Sequence, residues 1–299
     1  MPNVMANRIQ IEYDTFGSPL SRPLLLIMGL SFQMVIWDEE LCNQLAKQGL
    51  YVIRFDNRDV GLSSKIDEAG EPNLMEVLTA YQQGEEVKIP YTLDDMADDA
   101  IGLLDALSIE KAHICGASMG GSIAQIMAIR YPSRVLSLIS MFSSPRGPLD
   151  PELPQGKPEV MGLVVSPPPA ERGANIEHVT NILRTMVGSK MPPDEQLLRR
   201  GAERSYDRCY HPQGIARQAV AVMTAGNRTQ ALKSVTAPTL VIHGSEDPIL
   251  PVEHGKATAE AISGADLLII EGMGHGWSNP EVWPRLVDAI AAHTHKADT

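Results

Sequence analysis

Seven short apolar segments recur along the 299-residue chain: Arg8–Tyr13, Leu24–Ile27, Tyr51–Phe55, Ala112–Cys115, Leu136–Met141, Thr239–His243 and Leu267–Ile270. A strand that meets water on one face alternates apolar and polar residues. A strand apolar throughout must be covered on both faces, and most of these segments are of that kind. With helical patterns between them, they predict an α/β fold: a mostly parallel open sheet, flanked by helices and joined by right-handed crossovers. Thr92-Leu93-Asp94-Asp95 resembles a capping box. It precedes Leu93, Met96, Ala97, Ala100, Ile101, Leu104 and Leu107, whose three- and four-residue steps describe an amphipathic helix. Trp283–His293 repeats the pattern near the end of the chain.

The alternation breaks after Met141. Eight prolines fall between Pro145 and Pro169, a density expected to exclude regular helix or a central strand there. Three helical patterns follow, near Asn175–Val187, Pro193–Cys209 and Pro212–Ala225. The expected organisation is therefore a core domain formed by residues 1–143 and 233–299, with residues 144–232 inserted as a helical cap or lid. A second irregular stretch, Ser64–Pro90, surrounds a short helical pattern at Leu74–Tyr81.

Charge and composition narrow the function classes. With 25 Lys+Arg against 37 Asp+Glu the net charge is −12, and the densest basic spot is Arg199-Arg200 with Arg204 and Arg208. That is a solvated helix face rather than a phosphate-tracking surface, so no nucleic-acid partner is expected. The longest apolar run, Leu24 to Leu30, is too short for a bilayer, and no membrane association is expected. The first twenty residues lack an apolar signal-peptide core, and Cys42, Cys115 and Cys209 are too few and too scattered for a disulfide framework or a zinc site. A reducing, cytoplasmic location is expected, with no metal and no cofactor. No dinucleotide fingerprint opens an early βα unit. Nothing in the pattern specifies an oligomeric state.

Gly116-Ala117-Ser118-Met119-Gly120 is a G-x-S-x-G pentapeptide set between the apolar strand Ala112–Cys115 and the helical pattern Met119–Arg130. A strand-to-helix turn of one residue holds the serine in a strained conformation, with its hydroxyl at the carboxyl edge of the sheet. A serine hydroxyl is a weak nucleophile and needs a base, which a carboxylate in turn orients. His275, in the loop Gly272-Met273-Gly274-His275-Gly276-Trp277 after the last apolar segment, is the expected base. His243 ends a strand and reads as a buried, hydrogen-bonded structural residue. Asp247, in His243-Gly244-Ser245-Glu246-Asp247-Pro248, is the expected carboxylate, with Glu246 as its neighbouring rival. Developing charge on a substrate oxygen needs two N–H donors. Met119, after the serine, and Leu30, in Met28-Gly29-Leu30, are the expected pair.

These motifs resemble the α/β-hydrolase family, in its serine-esterase type with a helical cap, from the Leu24 strand to the last helix. Asp56-Asn57-Arg58-Asp59-Val60-Gly61-Leu62-Ser63 is similar to the family's D-x-R-G-x-G-x-S segment, with Asp59 in place of its Gly. Met28-Gly29 stands where His-Gly is usual. Both departures resemble the branch of polyketide methyl-ester hydrolases, the aclacinomycin-type methylesterases. The resemblance implies a carboxylic-ester hydrolase working through an acyl-enzyme on a small apolar ester, with methyl esters in view. Gly29, Trp37, Trp277, Met186 and Met223 are expected at the substrate pocket, and Met161 and Met191 also fall in the cap. Carbon–carbon bond hydrolases, lactonases and cofactor-free perhydrolases share the same three side chains. A ligand receptor on a hydrolase scaffold is a reading from a different class.

Overall fold

The computed structural model describes residues 2–148 and 150–297. Among the described residues, β1 (Asn3–Ala6), β2 (Ile9–Phe16), β3 (Arg22–Ile27), β4 (Leu50–Phe55), β5 (Ala112–Ala117), β6 (Val135–Met141), β7 (Thr239–Gly244) and β8 (Asp266–Ile270) form one sheet in the order β1-β2-β4-β3-β5-β6-β7-β8. β1 and β2 pair antiparallel, as do β2 and β4, and every pairing from β4 through β8 is parallel. The strand β1 was not anticipated. It joins β2 through Asn7 and Arg8, both at positive φ (46° and 68°), the conformation that suits a two-residue hairpin turn.

The parallel strands explain why their sequences lack alternation. Leu25 and Ile27 of β3 face one layer, with Met96 and Leu103 of α3 (Leu93–Ala106) and Ile123 and Met127 of α4 (Met119–Arg130). Leu24 and Leu26 face the other, with Leu41 and Leu45 of α1 (Glu39–Lys47) and Leu286 and Ile290 of α11 (Trp283–Ala297). All four β3 residues are fully buried. Truncating one of them to Ala would remove about 2–5 kcal/mol of stability. Thr92 closes a capping box with Asp95 at the start of α3, as the sequence suggests.

A short helix, α2 (Leu74–Gln83), interrupts the stretch between β4 and α3. The connection from β6 to β7 carries α5 (Pro158–Val165), α6 (Arg172–Thr185), α7 (Glu195–Arg208), α8 (Gln213–Met223) and α9 (Thr229–Leu232), and α10 (Glu253–Ala261) lies between β7 and β8. Helix α5 corrects the expectation that the proline-rich stretch holds no regular helix. Pro158 occupies the first helical position, where its missing N–H has no partner to lose and its fixed φ suits the turn. Among the described residues no helix is long and apolar enough to cross a membrane.

Candidate active site

Ser118 sits between β5 and α4 at φ 57° and ψ −120°, a region that costs a non-glycine residue about 1–3 kcal/mol. Backbone neighbours leave room for nothing larger than glycine beside it. A Cβ on Gly116 would come within 2.0 Å of Gly120 O, and one on Gly120 within 2.2 Å of Ile27 O. The strained residue is held from several sides. Its N–H donates to Met141 O (2.8 Å), and its carbonyl accepts from Gly121 N (2.9 Å), Ser122 N (3.2 Å) and Ser143 Oγ (2.8 Å). Ser143 Oγ lies 3.2 Å from Ser122 Oγ, which accepts from Arg228 Nη2 at 3.0 Å. Arg228 is buried, and its other partners are neutral: Gln125 Oε1, Ala225 O and Ser144 O. Burial lowers its pKa to about 10.

His275 and Asp247 meet at the ends of β8 and β7. His275 Nδ1 donates to Asp247 Oδ2 at 2.6 Å, and both residues are buried. Asp247 Oδ1 accepts Ile249 N (2.9 Å) and Leu250 N (2.8 Å), so the turn after β7 aims the carboxylate. Burial pushes the Asp247 pKa up, but charge and hydrogen bonds from His275 and His243 outweigh it and hold the group below the ordinary carboxylate range. Glu246 takes the other direction: its carboxylate accepts Ser189 N (2.6 Å) and Ser189 Oγ (2.8 Å) on the β6–β7 connection. The His275 N–H donates at 2.7 Å to the carbonyl of Met186, the residue that caps the C-terminus of α6.

The loop after β3 comes up beside the serine. A Cβ on Gly29 would stand 3.2 Å from Ser118 Cβ and 3.8 Å from Ser118 Oγ. Asn57, from the Asp56–Ser63 segment, and Gln218, which the sequence does not single out, brace this loop. Asn57 Nδ2 donates to Met28 O (3.0 Å), and Gln218 Oε1 on α8 accepts Ser31 N (2.9 Å). The Gln218 amide then donates to Arg58 O (2.9 Å), so α8, the loop and the arginine segment are tied together. Leu30 N–H has no backbone acceptor among the described residues. Met119 opens α4, where first-turn N–H groups have no intrahelical partner.

Ser118, His275, Gly29, Leu30 and Met119 all line one cavity of about 260 Å³, with mostly apolar walls. Met161, Met186 and Met223 contribute from the β6–β7 connection, whereas Met191, half-buried, packs against the core instead. Trp277 lines the cavity. Trp37 corrects the expectation for the pocket: it is 1% exposed, does not line the cavity, and stacks behind Trp277 at 4.2 Å between ring centroids.

The Asp56–Ser63 segment is structural. Arg58 forms a buried two-point pair with Asp99 (2.6 and 2.7 Å). Asp59, in place of the usual glycine, keeps a positive φ of 71° and is clamped by Arg217 at 2.8 and 2.7 Å. Asp59, Asp67 and His211 bring three ligand-type atoms within 4.8 Å of one another. A guanidinium occupies their centre: Arg217 Nη2 lies 2.7 Å from Asp59, 2.9 Å from Asp67 and 3.0 Å from His211.

Comparison with known proteins agrees with this architecture. The α/β hydrolase fold family matches residues 22–277. The rhodomycin D methylesterase of Streptomyces peucetius is 31% identical over 99% of both chains. The 2-hydroxymuconate semialdehyde hydrolase of Pseudomonas sp. (strain CF600) is 31% identical over 70% of each chain. An esterase structure from Exiguobacterium antarcticum superposes with a TM-score of 0.76 at 21% identity, covering 98% of each chain. The elbow, the sheet order and these matches together place the chain in the α/β-hydrolase fold family.

Proposed function

We propose that the protein is a serine esterase that hydrolyses a small, largely apolar carboxylic ester, a methyl ester being the leading candidate. The carrying observation is that Ser118, Leu30, Met119 and His275, the last paired with Asp247, share one mostly apolar cavity. The full-length likeness to a rhodomycin D methylesterase supports the methyl ester.

In this reading Ser118 Oγ attacks the ester carbonyl while His275 Nε2 takes its proton. Asp247 holds the imidazole with Nδ1–H toward Oδ2, leaving Nε2 free to act as base, and stabilises the charge the ring acquires. The carbonyl oxygen becomes an oxyanion bound by Leu30 and Met119 N–H. The carbon–oxygen bond to the alcohol breaks as His275 returns the proton, and methanol leaves from a methyl ester. Water, deprotonated by His275, then cleaves the acyl-enzyme and regenerates Ser118. Gly29 lets the loop approach the serine, and Trp277, Met186 and Met223 contact the apolar part of the substrate. Residues 144–232 act as a lid over residues 1–143 and 233–299, because the cavity wall draws on both.

A carbon–carbon bond hydrolase is the second reading, supported by the likeness to a 2-hydroxymuconate semialdehyde hydrolase. The test is product analysis with purified enzyme on aromatic methyl esters and on vinylogous diketones. Methanol release abolished by Ser118→Ala is the expected result. Cleavage of the diketones without methanol release would favour the second reading, and neither reaction with a large ligand-induced stability shift would favour a receptor.

A further inference from the structure

His243 is the penultimate residue of β7, fully buried and four residues before Asp247. Its Nε2 lies 2.8 Å from Leu250 O and 3.3 Å from Asp247 Oδ2, the same oxygen that receives His275 Nδ1 at 2.6 Å. A carbonyl oxygen can only accept, so Nε2 carries the hydrogen and shares it between two oxygens. His243 Nδ1 is buried without a hydrogen-bond partner, which matches a neutral ring with its lone pair on that nitrogen. The ring is fixed by the edge of Phe142 (6.1 Å between centroids) and by α10, where a Cβ on Gly255 would stand 2.6 Å from Nδ1.

We propose that His243 is a positioning residue of the active site: its Nε2–H holds the oxygen of Asp247 that orients His275 and tempers the charge which that oxygen presents to the imidazole. The inference rests on the proposed serine mechanism for its kinetic consequence, but not for its geometry. Ile249 and Leu250 N–H groups secure Oδ1, so His243 completes the restraint on Oδ2 and the carboxylate is held at both ends. The titratable groups facing His243 are Asp247 on its own turn, His254 on α10, and His275 across the shared oxygen. A sequence of His-Gly-x-x-Asp therefore carries the carboxylate and the residue that restrains it.

The full chain with His243→Leu, which removes the donor, is compared with His243→Gln, which places an amide N–H near the same point. The readouts are the pH profile of kcat/KM for p-nitrophenyl acetate and the low-field Nδ1 proton of His275 by NMR. Without the shared hydrogen, Oδ2 attracts the imidazole proton more strongly. The acid limb of His243→Leu should therefore rise by about half a pH unit, with kcat down about tenfold and KM within about twofold. The His275 proton should shift, and His243→Gln should restore both readouts. An unchanged acid limb and an unchanged His275 proton in His243→Leu would overturn the proposal, as would a glutamine variant that behaves like leucine. If His243→Leu does not fold, the wild-type tautomer decides: Nε2–H on His243 supports the proposal, and Nδ1–H overturns it. Ser118→Ala is assayed in parallel. Retained turnover there would remove the proposed esterase mechanism and leave the NMR test of His243 standing.

Discussion

Met186 O accepts the backbone N–H of His275 at 2.7 Å, so the residue that caps the C-terminus of α6 fixes the loop bearing the expected base. The contact leaves no space between the two segments: a Cβ on Gly274 would approach Met186 O to 2.0 Å. Gly274→Ala should push the loop and α6 apart and displace His275. The expected result is a loss of about 10²-fold in kcat/KM for ester hydrolysis in a protein that still folds. Steady-state kinetics beside a circular dichroism melt would check it, and a variant as active as wild type would mean that the contact does not position the histidine.

Asn57 and Gln218 brace the Met28–Ser31 loop from two sides. Asn57→Ala leaves Met28 O without its donor and loosens the loop carrying Leu30 N–H. Turnover should fall about tenfold to 10²-fold, less than or comparable to outright loss of an oxyanion donor, with KM nearly unchanged. Stability should drop by about 1–2 kcal/mol, measured by urea unfolding.

Arg228 is a buried cation among neutral acceptors, bridging Ser122 on α4 to Ser144 O after β6. Arg228→Ala orphans those acceptors and opens a cavity. We expect about 3 kcal/mol of destabilisation by denaturant titration, with Arg228→Lys recovering part of it.

Stability should also depend on mildly acidic pH. His254 is buried, with Nδ1 2.9 Å from Ser144 Oγ and Nε2 2.9 Å from Pro154 O; His293 is buried with Nε2 3.2 Å from Pro238 O. Desolvation lowers both below the ordinary histidine value of 6.5. The unfolded chain then takes up protons first, so stability is full above that value and lost as pH falls below it. Asp247, held low, adds a further loss only below the ordinary carboxylate range. Tm should drop by about 3 °C or more between pH 7.5 and 5.5 by calorimetry, and His254→Gln should flatten the slope.

What could be read from the sequence followed from local pattern. Continuous apolar runs such as Leu24–Ile27 announce a doubly covered sheet because each residue serves one face or the other. Glycines around Ser118 announce a turn that tolerates no Cβ. Other features depend on contacts between distant segments. Gln218 reaches Ser31 across 187 positions, and Arg228 reaches Ser122 across 106, with no local spacing to mark either pair. Trp37 and Trp277 looked equivalent in sequence, and only their stacking decides which one faces the cavity. Pro158 misled because proline opposes a helix in its interior but not at its first position.

The central claim is an acyl-enzyme formed on Ser118. Intact-protein and peptide mass spectrometry after rapid quenching during turnover of a slow aromatic methyl ester tests it directly. The account predicts an acyl mass on the peptide containing Ser118, formed in a burst with methanol and missing from Ser118→Ala. Methanol release with no adduct on that peptide, undiminished in Ser118→Ala, would contradict it.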